Sequence, residues 1–206
     1  MKTFVVLFAC VIATSGNHSS STCPPLGKRN CRLFDFITPR VCPKEFRETI
    51  ATGEWLGIYT TEIGQTTPFG KSTNRWSNQG RTWRRETRSF NQMSMACEML
   101  TFDYNLVTTS CGMAELRQVD GSRVERFYSQ DLSRYFWWFI CITPATNGGC
   151  DFGFFDLQIR DNREGMAGEI NLNGLPWDKI SADLKLIQGK TFDDPLVRYA
   201  WLGTEC

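Results

Sequence analysis

The sequence carries one histidine, His18, in a chain of 206 residues. Imidazole is the usual general base near neutral pH and the commonest metal ligand. A lone histidine in the polar run from Asn17 to Thr22 therefore leaves Ser-His-Asp and Cys-His nucleophile systems without their base. No C-x2-C pair is present to hold zinc. A P-loop, a G-x-G-x-x-G turn and a G-x-S-x-G elbow are absent as well. The 22 acidic residues show no spacing that singles out two carboxylates for glycoside hydrolysis. The expectation is a protein that is not an enzyme and that has neither metal nor cofactor.

Binding chemistry remains. Residues 71 to 88 hold Lys71, Arg75, Arg81, Arg84, Arg85 and Arg88 against Glu86 alone, interleaved with Trp76 and Trp83. Cations mixed with indoles are what an anionic polymer uses, and an anionic glycan or another protein is the partner this segment would meet outside a cell. The same composition also describes a solvated strand face. With 23 basic and 22 acidic residues the formal charge is +1, so no global field draws the chain to nucleic acid or to an anionic membrane.

Residues 1–16 (MKTFVVLFACVIATSG) place Lys2 before an apolar core from Phe4 to Ile12 and end in small residues. That is the pattern of a secretory signal peptide, and the expected location is extracellular. No run approaches the ~20 apolar residues of a membrane helix. Cys10 leaves with the signal. Cys23, Cys31, Cys42, Cys97, Cys111, Cys141, Cys150 and Cys206 remain as an even set, which fits four disulfides in an oxidising compartment, with the connectivity left open. Residues 17–45 are rich in Cys and Pro and poor in periodicity, so they read as an irregular arm pinned by disulfides.

Strand patterns follow in the domain 46–206. Glu54 to Glu62 is rich in aromatic and β-branched residues, with Trp55, Gly57 and Tyr59 on one face. A polar loop is expected from Gly64 to about Arg81, then strands at Thr82 to Phe90, Ala96 to Tyr104 and Met113 to Val119. Asp120-Gly121 is a tight turn into Arg123 to Tyr128. Tyr135 to Ile142 (YFWWFICI) is apolar on both faces, which a sheet open to water on one side would not tolerate. Asp151 to Arg160 returns as a further strand. One helix stands out: Pro176 in its first turn, Trp177, Ile180, Leu184 and Ile187 on one stripe, and Gly189 as its stop. Six or seven strands and one amphipathic helix imply a β-barrel or sandwich with the helix packed outside, covering the second face of YFWWFICI.

Gly53-Glu54-Trp55 at the first strand, Gln130-Asp131-Leu132 followed by Tyr135, and the strand FFDLQIRDN ending near Arg160 together resemble the lipocalin family. The helix and the terminal Cys206 fall in that family's order, and the flavour is that of secreted, disulfide-bonded members such as apolipoprotein D and the crustacyanins. The resemblance implies an all-β fold, a single antiparallel up-and-down barrel with one C-terminal α-helix outside. It implies that Gly53, Trp55, Asp131 and Arg160 are structural, with Arg160 lying over the Trp55 indole as a cation-π partner and capping nearby carbonyls. It also implies a Cys97 to Cys206 bridge. Its calyx would hold a small hydrophobic cargo or pigment: a retinoid, carotenoid, bile pigment, sterol or fatty acid. On that basis Tyr59, Tyr104, Trp137, Phe139 and Phe154 are the expected ligand-lining residues, since rings bury large area at modest entropic cost. Strand parity does not separate Trp137 from Trp138. Asp156 interrupts an apolar strand and reads as an edge-exposed carboxylate, ahead of the recognition of an amine that the resemblance to small-amine-binding members implies.

Overall fold

The structure, a computed structural model, describes residues 41–61, 69–91, 94–109, 112–146, 149–163 and 170–200, with only the backbone of 69–71. The signal segment, the arm as far as residue 40, and Cys23, Cys31, Cys111 and Cys206 lie outside the described residues.

Nine strands and two α-helices are described: α1 (Pro43–Glu45), β1 (Glu54–Thr60), β2 (Phe69–Asn78), β3 (Trp83–Asn91), β4 (Ala96–Thr108), β5 (Ala114–Gln118), β6 (Val124–Tyr128), β7 (Tyr135–Pro144), β8 (Cys150–Arg160), α2 (Trp177–Gln188) and β9 (Arg198–Tyr199). A π-helical turn, Phe46–Ile50, continues α1. From β2 to β8 each strand pairs antiparallel with the next, and β1 pairs with both β8 and β2. The sheet therefore closes on itself as an eight-stranded up-and-down barrel, which removes its edges. Short β9 adds to the end of β1 at Tyr59 and Thr60, beyond the Glu54 to Gly57 stretch that pairs with β2.

The doubly apolar strand has the two covers its pattern demands. Phe136, Trp138 and Ile140 join Trp55, Trp76, Tyr104, Phe127 and Phe154 in the layer inside the barrel. Tyr135, Trp137, Phe139 and Cys141 face the other way and pack with Leu56, Ile58, Leu157 and the helix residues Ile180, Leu184 and Ile187. Those three helix side chains are fully buried, worth about 5 to 9 kcal/mol of transfer free energy before entropy is subtracted. The helix begins one residue later than the pattern predicts, with Pro176 as its N-cap, and it ends at Gly189, whose φ of 66° is the left-handed conformation of a helix stop.

One expected loop is a strand. Residues 64 to 81 read as polar punctuation, yet β2 occupies Phe69–Asn78. Ser72 and Asn74 face the interior there and bond to one another, so two inward positions before Trp76 are polar and the usual alternation is hidden.

A strap closes one end of the barrel. The Val41 amide donates to Phe127 O at 3.2 Å and its carbonyl accepts from Ala114 at 2.8 Å, while Phe46 and Ile50 are fully buried below it. Cys141 and Cys150 form a disulfide across the β7–β8 hairpin, with Cα atoms 5.8 Å apart. Cys42 and Cys97 are also disulfide-bonded. The Cys97 to Cys206 bridge, with one partner at Cys206, lies outside the described residues.

Candidate functional site

The motif residues hold the closed end. Trp55 is fully buried, and its indole N–H donates to Ile50 O at 2.8 Å. The Arg160 guanidinium lies 5.2 Å from the indole centroid, the cation-π arrangement the resemblance implies. Its Nε has no hydrogen-bond partner among the described residues, so the contact with the ring, rather than carbonyl capping through Nε, is what the structure places there. Gly53 leaves room for the same group: a Cβ on it would stand 2.9 Å from Nη2 and 3.0 Å from Cζ of Arg160. Asp131 organises the β6–β7 turn. Its backbone carbonyl accepts from Arg134 and Tyr135, its carboxylate accepts from Ser133 and Arg134, and Lys179 of α2 lies 3.6 Å away. The Ser133 hydroxyl bond, opposed by burial and helped by Arg134, holds that carboxyl below its ordinary range.

Of the five residues expected to line a cavity, two face the interior. Tyr104 and Phe154 belong to the inside layer. Trp137 and Phe139 do not: the Trp137 indole donates to Ile180 O at 3.1 Å and Phe139 packs at a tilt on Phe155, both in the outer cluster that α2 completes. Parity on a strand that is apolar on both faces carries no sign, and the helix takes the odd-numbered residues. Tyr59 also lies outside, among Trp177, Phe192 and Tyr199. The register shifts between Gly57 and Tyr59, and this bulge turns Tyr59 away from the face of Trp55 and Gly57.

The interior also holds charge that its strand patterns do not disclose. Glu125 of β6 and Arg85 of β3 are 0% and 3% exposed, and the guanidinium Nη1 donates to Glu125 Oε1 at 2.8 Å. The Tyr104 hydroxyl donates to the same oxygen at 2.5 Å. Arg85 is sandwiched, its Cζ 4.3 Å from the Phe102 ring and 4.5 Å from the Trp138 ring. Burial pushes the Glu125 carboxyl upward against the pull of Arg85 and Tyr104, and burial followed by the Glu125 charge pushes the Tyr104 phenol upward. A polar ladder lies beside this centre: Thr87 Oγ1 donates to Asn74 Oδ1 at 2.7 Å, and Asn74 Nδ2 donates to Gln158 Oε1 at 3.0 Å. Gly57 makes room for it, since a Cβ there would stand 2.6 Å from Ser72 Oγ. Asp156 stands opposite Trp138 in the β7–β8 register and is half-buried rather than edge-exposed.

The Arg/Trp segment is divided by the same alternation. Trp76 and Arg85 are buried inside, and Trp83 packs edge-on against Phe46. Arg84 pairs with Asp103 at 2.9 Å and Arg75 lies 3.9 Å from Glu54. The segment therefore presents no outward row of indoles between its cations. A separate surface pocket of about 290 Å³, lined in part by Glu115, Arg117, Arg123 and Arg126, opens between the β5–β6 and β7–β8 turns. Glu115 accepts from both Arg117 and Arg126, so its cations are partly neutralised in place.

A closed eight-stranded up-and-down barrel, an indole and a guanidinium stacked at its sealed end, and one helix packed outside define the lipocalin fold, and this chain has it. No protein-family model matches the chain, and no curated protein sequence does. Solved structures match. The siderocalin Ex-FABP, described as functioning through dual ligand specificities, superposes with a TM-score of 0.53 at 12% identity, over 75% of this chain and 94% of its own. Apocrustacyanin C1 gives 0.51 at 16% identity, over 82% and 92%. Apocrustacyanin C2 gives 0.50 at 18% identity, over 81% and 91%.

Proposed function

We propose that the protein is a carrier that encloses a small, largely apolar molecule inside the barrel and works outside the cell. The observation that carries this reading is the inner layer itself. Phe102, Tyr104, Phe127, Phe136, Trp138 and Phe154 converge there from β4, β6, β7 and β8, above an end stopped by Trp55 and Phe46. Such a wall removes a flat apolar guest from water on several sides at once, and apolar burial drives its binding. The sequence fits the same role, with its signal-like leader and even cysteine set, and a similar solved structure is described by its ligand specificities.

Trp138 and Trp76 make the guest visible. Titration of the full mature chain with retinol, a fatty acid and biliverdin at micromolar concentration is expected to give saturable quenching of tryptophan emission by at least one of them. Absence of quenching by all three, together with retention on heparin that is lost at moderate salt, would instead favour a surface that binds an anionic glycan.

A further inference from the structure

The barrel interior holds more buried donors than acceptors. One oxygen of Glu125 is satisfied twice, by Arg85 and by Tyr104. Its Oε2 has no hydrogen-bond partner among the described residues, and neither do Arg85 Nε, Trp76 Nε1, Trp138 Nε1 and Gln158 Nε2. None of these five residues is more than 3% exposed. The Trp138 indole lies near enough to favour the ionised Glu125; closing that pair would still leave the Arg85, Trp76 and Gln158 donors, with the Asp156 carboxylate as the one further acceptor on that face. Buried N–H groups of folded proteins are ordinarily paired, because desolvating one without a partner is costly. The donors are also neighbours: Trp76 and Trp138 meet edge to face at 5.6 Å between centroids, and the guanidinium lies over Trp138.

Charge narrows the class further. Arg85 is already neutralised by Glu125. A carboxylate guest would therefore add net negative charge to a low-dielectric interior. An ammonium guest could meet the Asp156 carboxylate, but it would stand beside Arg85 and leave the N–H donors unsatisfied. A neutral oxygen acceptor satisfies the donors and adds no charge. Building on the carrier reading above, we propose that the guest is an apolar molecule bearing a neutral carbonyl-type oxygen, and that this oxygen is seated against the donors of Arg85, Trp76 and Trp138, with its apolar body along Phe102, Phe136 and Phe154.

Four probes with one apolar body test this by equilibrium dialysis against the full mature chain with its disulfides intact: 2-acetylnaphthalene, 2-ethylnaphthalene, 2-naphthoate and 2-naphthylmethylammonium. The ketone is expected to bind at least about tenfold more tightly than the other three, because only it pairs the donors without bringing charge. Equal binding of ketone and hydrocarbon overturns the head-group assignment and leaves the carrier reading standing. Tighter binding of the naphthoate or the ammonium also overturns it, and binding of none of the four overturns both readings. The variant E125Q removes the neutralising charge while keeping an acceptor for Tyr104. With its far-ultraviolet circular dichroism unchanged, it is expected to move the naphthoate up by at least about tenfold relative to the ketone, as an unpaired guanidinium would dictate. An unchanged ranking in folded E125Q overturns the inference. R85M supplies an independent check: it is expected to reduce the preference for the ketone over the hydrocarbon severalfold, the two indole donors remaining, and an undiminished preference would overturn the role of Arg85.

Discussion

At the sealed end of the barrel two side chains compete for the same few cubic ångströms. The Arg160 guanidinium occupies the space where a Gly53 side chain would begin, and from there it lies over Trp55. A methyl at Gly53 has to shift the guanidinium on the ring, so G53A perturbs the contact that R160A removes, worth about 0.5 to 1 kcal/mol at a partly exposed site. Each variant is expected to lower the urea midpoint, and the double variant to cost clearly less than the two singles summed, since they share one interaction. Additive losses would mean that the two residues act independently. Ligand affinity should be nearly unchanged in R160A, because Arg160 closes the barrel from below. These residues were legible in the sequence because the G-x-W and the late-strand arginine are local signals. The Arg85–Glu125 pair was not, because its partners lie 40 residues apart. Its only trace is parity: Glu125 alternates in phase with buried Phe127, and Arg85 with buried Thr87, a pattern that without the fold reads as an ordinary solvated strand.

At the scale of elements, α2 is fastened by a buried carboxylate as well as by its apolar stripe. Asp183 is fully buried, accepts from the Tyr135 hydroxyl at 2.6 Å and accepts from the Gln130 backbone and side chain at 3.1 and 2.7 Å. Burial raises its carboxyl above the ordinary range despite these donors. A folded-state pKa above the unfolded one means that the native state holds the proton longer, so this group contributes most below the unfolded value and loses that contribution as pH rises through the folded one. D183N removes the titration. The melting temperature of wild type relative to D183N is therefore expected to fall between pH 4 and pH 7, read by calorimetry at both values, and a difference independent of pH would refute the assignment. The helix itself was plain in its i, i+3, i+4 stripe and terminal glycine, as was each strand with an apolar face. The barrel strand that escaped, β2, turns Ser72 and Asn74 inward to build the polar ladder. Tyr59 escaped because a bulge after Gly57 reverses its side, an event that strict two-residue alternation cannot register.

The whole molecule is organised around β7, whose two faces serve different ends. Trp137 belongs to the seam between barrel and helix, while Trp138 belongs to the interior and lies over Arg85. On the carrier reading proposed above, adjacent indoles of one strand divide stability from binding, and a pair of matched substitutions tests the two roles. W137F deletes the N–H that bonds Ile180 O and keeps most of the ring, so it should cost about 1 kcal/mol of unfolding free energy and leave the affinity for an apolar ligand within about twofold. W138F deletes a donor that faces the interior and trims the ring over which Arg85 lies, so it should weaken binding of a carbonyl-bearing ligand severalfold. Urea denaturation and equilibrium dialysis on the same two preparations read both quantities. The assignment of inside and outside fails if W137F is the variant that loses affinity, since a closed barrel offers a side chain under the helix no route to a guest within the calyx.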